Sequence, residues 1–223
     1  MMEKIYKLFG FTDLNTDGVV DLKDLVMKVG LPGLAIIIFA ETGLLAGFFL
    51  PGDSLLVTAG LFAAGPSASL NILLLNAVLI PCAIVGDAVG YWFGKKMGHA
   101  LYDRPDSWWF KRKHLIATKE FYEKHGGKTI VIARFMPLAR TFAPVVAGIA
   151  EMGYKRFATY NIVGGVAWIT SMSFIGYFLG TQFPGLVKHI EKVIIVVVFL
   201  SILPGIIAAY RAWRGQRAST TAA

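Results

Sequence analysis

Long apolar stretches, interrupted at a few polar points, set the pattern of this chain. Residues 31–62 are apolar apart from Glu41, Asp53 and a few small polar residues, and are broken at Pro51-Gly52. After a turn at Gly65-Pro66-Ser67, residues 70–94 form a run longer than the ~20 residues that a membrane-crossing helix needs. Its end carries Gly86, Gly90 and Gly94 at intervals of four, spacing that suits close helix packing in lipid. Residues 130–148 are apolar again, yet hold Arg134 and Arg140 with Pro137 between them and Pro144 after them. Residues 157–180 and 193–210 are two further spanning runs; in the first, Asn161, Gly164, Gly165, Gly176 and Gly180 read as packing positions, and Trp168 lies within the span. The pattern predicts an all-α integral membrane protein. Its helical bundle has about three full transmembrane helices and two broken segments, each of which either crosses or is re-entrant.

Composition fits this reading. Of 223 residues, 56% are hydrophobic, and the mean hydropathy is +0.61, values of a polytopic membrane protein with one integral domain. The division expected is an N-terminal segment (1–30), a membrane domain (31–214) and a disordered tail (215–223). The first 30 residues are mixed and charged, so no cleavable signal peptide is expected. A single cysteine, Cys82, leaves no intrachain disulfide to form. The net charge of +8 sits mostly in loops. Residues 95–128 hold nine Lys/Arg against Asp103, Asp106, Glu120 and Glu123, which places this loop in the cytoplasm. Arg211, Arg214 and Arg217 place the C-terminus there too. Trp108, Trp109, Phe110, Phe121 and Tyr122 interleave with the loop's basic residues, as in a helix lying on anionic headgroups. Basic clusters that flank membrane segments argue against nucleic-acid binding. Four lysines and five acids in residues 1–30 leave the side of the N-terminus open.

That N-terminal segment contains a second pattern. Asp13, Asn15, Asp17, Asp21 and Asp24 occupy ligand positions of a calcium loop of EF-hand or dockerin type. Gly18 falls at the turn position, and Val19 would offer its carbonyl. Aspartate stands at the last position in place of the usual glutamate, and no second loop pairs with it. Calcium at residues 13–24 is the expectation, and a solvated acidic turn is the plainer alternative. No other cofactor is expected.

The charges in the broken segments are the candidate chemistry. Ionisable groups in a membrane are expensive and mark function by default. On an unbroken helix, side chains six apart point roughly 240° apart, so Arg134 and Arg140 would not share a face. A break at proline would let both guanidinium groups enter one cavity. There they could grip a phosphate in bidentate geometry. Glu41 and Asp53, in the other broken segment, would compete for the arginines and carry protons. Asp87 is a further acid, read first as capping or pairing near the surface and second as a third functional carboxylate. The plainer reading of the four is a static ion-pair network pinning the two segments together. No nucleophile, base and oxyanion set stands in the spans, so an enzyme is not expected.

Several motifs together resemble a known family. Glu41-Thr-Gly43, Phe49-Leu-Pro51-Gly52-Asp53-Ser54, Gly86-Asp87 with Gly90-Tyr91, His125-Gly126, and Ala133-Arg134-Phe135 followed by Pro137, Arg140-Thr141, Pro144 and Gly148 are similar to the pattern of bacterial DedA proteins, which carry the SNARE-associated or VTT domain. The resemblance covers roughly residues 31–214; the calcium-like loop stands outside it. It implies opposed re-entrant hairpins in a multi-pass protein of the bacterial inner membrane. It also implies lipid translocation, of undecaprenyl phosphate or phospholipids, often tied to the proton-motive force. The family's functional acids fall on Glu41 and Asp53, and its functional arginines on Arg134 and Arg140. Alternatives are a phospholipid scramblase without proton coupling, for instance of phosphatidylethanolamine, and a proton-dependent drug or cation antiporter. The partners expected are lipids and protons; self-association stays open.

Overall fold

A computed structural model describes residues 22–44, 52–64, 70–102 and 127–183. All of the regular structure among these residues is α-helical: α1 (Leu22–Gly43), α2 (Gly52–Ala63), α3 (Ile72–Tyr102), α4 (Lys128–Ala133), α5 (Pro137–Ile149) and α6 (Tyr154–Gln182). The calcium-like loop up to Asp21, the basic loop 103–126, the expected span 193–210 and the tail lie outside the described residues. Of Asp24, only the helical backbone is described.

Two helices, Ile72–Gly98 and Tyr154–Gln182, are long and apolar enough to cross a membrane. Asn71 starts the first: its Oδ1 accepts the backbone N–H groups of Leu73 (2.9 Å) and Leu74 (3.2 Å), satisfying donors that the first turn leaves free. Outward-facing Leu73, Leu74, Val85 and Phe93 on α3, and Ile162, Val163, Phe174 and Phe178 on α6, are exposed and suit a lipid surround. The two helices run antiparallel. Asn76 near the start of α3 bonds Ser173 near the end of α6 (2.9 Å), while Tyr91 stacks on Phe157 at 4.5 Å.

The broken segments are antiparallel hairpins, and glycine contacts fix their direction. Gly43 of α1 meets Gly86 of α3 backbone to backbone, and the earlier Leu34 and Ile38 share a core with Leu75 and Leu79; α1 therefore runs along α3. Gly176 lies on the Val57 carbonyl and Gly180 beside Leu61, so α2 runs along α6. The arms α1 and α2 therefore run antiparallel. In the second hairpin, Gly127 faces Tyr160 and Gly164 faces Val131, so α4 follows α6. Gly94 lies on Val145 and Gly98 on Ile149, so α5 follows α3. The result is a hairpin-plus-long-helix unit repeated in inverted sense. In each repeat the first arm packs on its own long helix and the second arm on the other repeat's. Each hairpin reverses near mid-height of the long helices, at Gly86 of α3 and at Gly164 of α6.

Local chemistry places the reversals. Pro137 opens α5 at its first turn, where a missing N–H is harmless; it starts a helix and does not split one. Pro144 sits inside α5 without ending it. The second break therefore lies at 134–136, just before Pro137, while α2 begins at Gly52, where the first break is expected; Pro51 lies outside the described residues. Gly30 has φ 56°, a left-handed conformation that favours glycine, and kinks α1 where the apolar arm begins.

Candidate functional site

Charged residues collect at the hairpin tips, in two nodes. At the first, Arg140 in the opening turn of α5 donates from Nη1 to Asp53 and from Nη2 to Glu41. All three are buried, with 5%, 7% and 1% exposure respectively. Asp53 lies in the first turn of α2, where the helix dipole favours a carboxylate. Glu41 lies in the last turn of α1 and Arg140 in the first turn of α5, each against its own helix's dipole. What offsets this is mutual: one guanidinium between two carboxylates. Glu41 also lies against Gly52, where any Cβ would overlap its carboxylate. Glycine at the start of α2 is what lets the first hairpin close on its own acid.

Trp168 of α6 completes this node. Its Nε1–H donates to Asp53 Oδ1 at 2.9 Å, and its ring lies 4.5 Å from the Arg140 guanidinium carbon, within range of a cation–π contact. The ring is wholly buried.

At the second node, Arg134 donates from Nη2 to Asp87 of α3 and to Asn161 of α6, the latter at 2.5 Å. Asn161 in turn donates to the Ile84 carbonyl (3.0 Å), which fixes its amide. The guanidinium rests on Gly164 and Gly165: a Cβ on Gly165 would lie 3.2 Å from Nη1, and one on Gly164 2.8 Å from Cδ. Arg134 and Asp87 are each 2% exposed. Asn161 and Trp168 are seven residues apart on one helix, so the nodes are stacked about 10 Å apart along α6.

The expected single cavity is thus divided. The arginines lie on opposite sides of the second reversal, Arg134 after the end of α4 and Arg140 within α5, and each finds different acids. Glu41 and Asp53 join Arg140 alone. Asp87 is neither a cap nor near the surface: it is buried at mid-helix and is the partner of Arg134. The sequence pattern marks Asn161 as a packing position and gives Trp168 no role; here both bond to the charged groups. Their signal is the stripe Asn161, Gly164, Gly165, Trp168, one face of a helix at intervals of three and four. No group of three or more metal-ligating side chains occurs among the described residues.

Comparisons with known proteins identify a family. The VTT domain model matches residues 50–178, from the first tip through most of α6. Protein DedA of Escherichia coli K12 is 44% identical over 213 residues, covering 94% of this chain and 95% of the relative. The chain belongs to the DedA family of membrane proteins. An uncharacterized membrane protein of Mycobacterium tuberculosis H37Rv is 44% identical over 191 residues, covering 84% of this chain and 82% of its own. One of Mycobacterium leprae is 41% identical over 186 residues, covering 83% and 82%. No solved structure matches the chain significantly. Both hairpins' second arms and, among the described residues, the buried charges Asp53, Asp87, Arg134 and Arg140 fall inside the matched VTT domain; Glu41 lies within the longer stretch shared with the DedA relative.

Proposed function

We propose that this protein is a transporter, not an enzyme, that moves a phosphate-bearing lipid across the bacterial inner membrane with proton coupling. The observation that carries the reading is Arg140, buried at the meeting point of two opposed hairpins and held by two carboxylates of the other hairpin. In a membrane, α1–α2 and α4–α5 enter from opposite sides and turn back at mid-depth, the position of substrate sites in inverted-repeat transporters. The N-termini of α2 and α5 both open at the tips, and half-helix N-termini favour anionic groups. A guanidinium offers the fork that a phosphate accepts.

The charge count supplies the coupling. Glu41, Asp53 and Arg140 sum to −1 when all are ionised, a site that repels an anion. Protons on the two acids would turn it to +1, and Arg140 would be free to take phosphate. Arg134 has a different place in this scheme. Its partners Asp87 and Asn161 sit on the long helices, so it anchors the second hairpin to the frame while Arg140 exchanges. A phosphate such as that of undecaprenyl phosphate fits the site's charge and the membrane position. An antiporter working through Glu41 and Asp53 alone would leave Arg140 without a task.

Flux in vesicles tests the reading. Purified protein in liposomes, under an imposed pH gradient, should move a fluorescent polyprenyl phosphate faster than a matched phosphatidylethanolamine. Arg140→Lys keeps the charge but loses the fork, and should fail nearly as badly as Arg140→Ala. Equal flux of both lipids, unaffected by the pH gradient, would make the protein an uncoupled scramblase.

A further inference from the structure

The exchange node contains one group that the charge argument does not use. Trp168 touches both halves of the Arg140–Asp53 pair. Its N–H is bonded to the Asp53 oxygen that also receives Arg140 Nη1, and its face lies under the guanidinium. It comes from α6, on neither hairpin, so it is a fixed element against which the two tips meet. Gly164 and Gly165, one turn earlier on the same face, seat Arg134 in the same way.

We propose that Trp168 is the positioning residue of the exchange: its N–H holds the Asp53 carboxylate on Arg140, and its ring holds the guanidinium plane for the incoming phosphate. This rests on the reading of Glu41, Asp53 and Arg140 as the exchanging site. A hydrogen bond donated to a carboxylate stabilises its charged form and not its neutral form. The indole N–H and Arg140 Nη1 share one Asp53 oxygen, so the carboxylate ties the ring and the guanidinium together. When Asp53 takes a proton it no longer needs that donor, and Arg140 loses a charged partner in the same event. The ring remains where it was. A guanidinium stacked on an aromatic face keeps its edge donors free for in-plane acceptors, so the fork is presented in one orientation. The charged groups facing Asp53 are Arg140 from α5 and Glu41 from α1; Trp168 faces it from α6, and the pair of Asp87 on α3 with Arg134, just past α4, forms the neighbouring node.

Two substitutions separate the N–H from the ring. Trp168→Phe removes the donor and keeps an aromatic face; Trp168→Leu removes both. The measurement is binding of dodecyl phosphate to the purified full-length protein in detergent, from pH 5 to pH 9, so that titration of the probe is common to every variant. In Trp168→Phe the midpoint of binding should move up by about one pH unit, since a hydrogen bond to a charged group is worth about that much, with affinity at low pH within about threefold of the parent. In Trp168→Leu the midpoint should move likewise, and affinity should fall about tenfold at every pH. On an Asp53→Asn background, Trp168→Phe should shift nothing. An unmoved midpoint in Trp168→Phe overturns the inference, and so does a shift that persists with Asp53→Asn. If the parent protein binds no dodecyl phosphate at any pH, the transport reading itself falls.

Discussion

The two arginine nodes join different parts of the molecule. Arg140 is held by Glu41 and Asp53, one on each arm of the facing hairpin. Arg134 is held by Asp87 and Asn161, each on a long helix. The first node joins hairpin to hairpin; the second joins a hairpin to the frame. The first has an excess of negative charge and an aromatic platform. The second is balanced, with its amide locked to a backbone carbonyl and its guanidinium bedded on two glycines. An ion pair between elements that can part suits exchange, whereas one wedged between packed helices suits position. Two arginines six residues apart in one motif therefore need not share a task.

The largest effect expected from this contrast is at the anchor. Arg134→Ala leaves Asp87 buried without its partner, and breaking a buried pair costs about 3–5 kcal/mol. Thermal unfolding in detergent should show this loss, and Arg134→Gln with Asp87→Asn should recover most of it. Flux per folded protein should recover as well. A double variant that is stable yet inactive would break the comparison, because Arg134 would then be a second phosphate ligand. A smaller expected effect concerns an asymmetry between the hairpins. The calcium-like loop 13–24 leads directly into α1, and nothing like it precedes α4 in sequence. We propose that a cation there steadies the first hairpin alone. Calcium should raise the melting temperature by a few degrees, the shift should vanish in Asp13→Ala with Asp17→Ala, and flux should change little. An equal shift in the parent and the double variant would remove the site.

How much of this was legible depended on what kind of signal carried it. The long helices were visible because twenty or more apolar residues admit few alternatives, although α3 continues to Tyr102, past the apolar run. The charged residues were visible because charge in an apolar stretch stands out. Their pairing was not. Whether Arg134 meets Glu41 or Asp87 depends on which long helix lies under the second hairpin, a fact of topology set by glycine contacts such as Gly94 on Val145. Pro137 misled by its position: proline reads as a breaker in the middle of a pattern and as a starter at the first turn of a helix. Asn161 was hidden because an asparagine among glycines in a spanning helix reads first as packing, and Trp168 because an aromatic ring in an apolar run carries no chemical signal of its own. They become chemical only when the tips arrive beside them.

The central claim is that Glu41 and Asp53 are exchanging partners of Arg140 and not static ones. Glu41→Gln and Asp53→Asn keep size and hydrogen bonding but cannot change charge. Side-by-side measurement of phosphate-lipid binding, thermal stability and flux against pH, in the parent and these two variants, decides the matter. The account predicts that both variants fold, bind phosphate lipid as tightly as the parent or more so because competition for Arg140 has gone, and lose the pH dependence of transport. Stability that falls in the single variants and returns in acid–arginine doubles such as Glu41→Gln with Arg140→Gln, with flux following only the amount of folded protein, would contradict it.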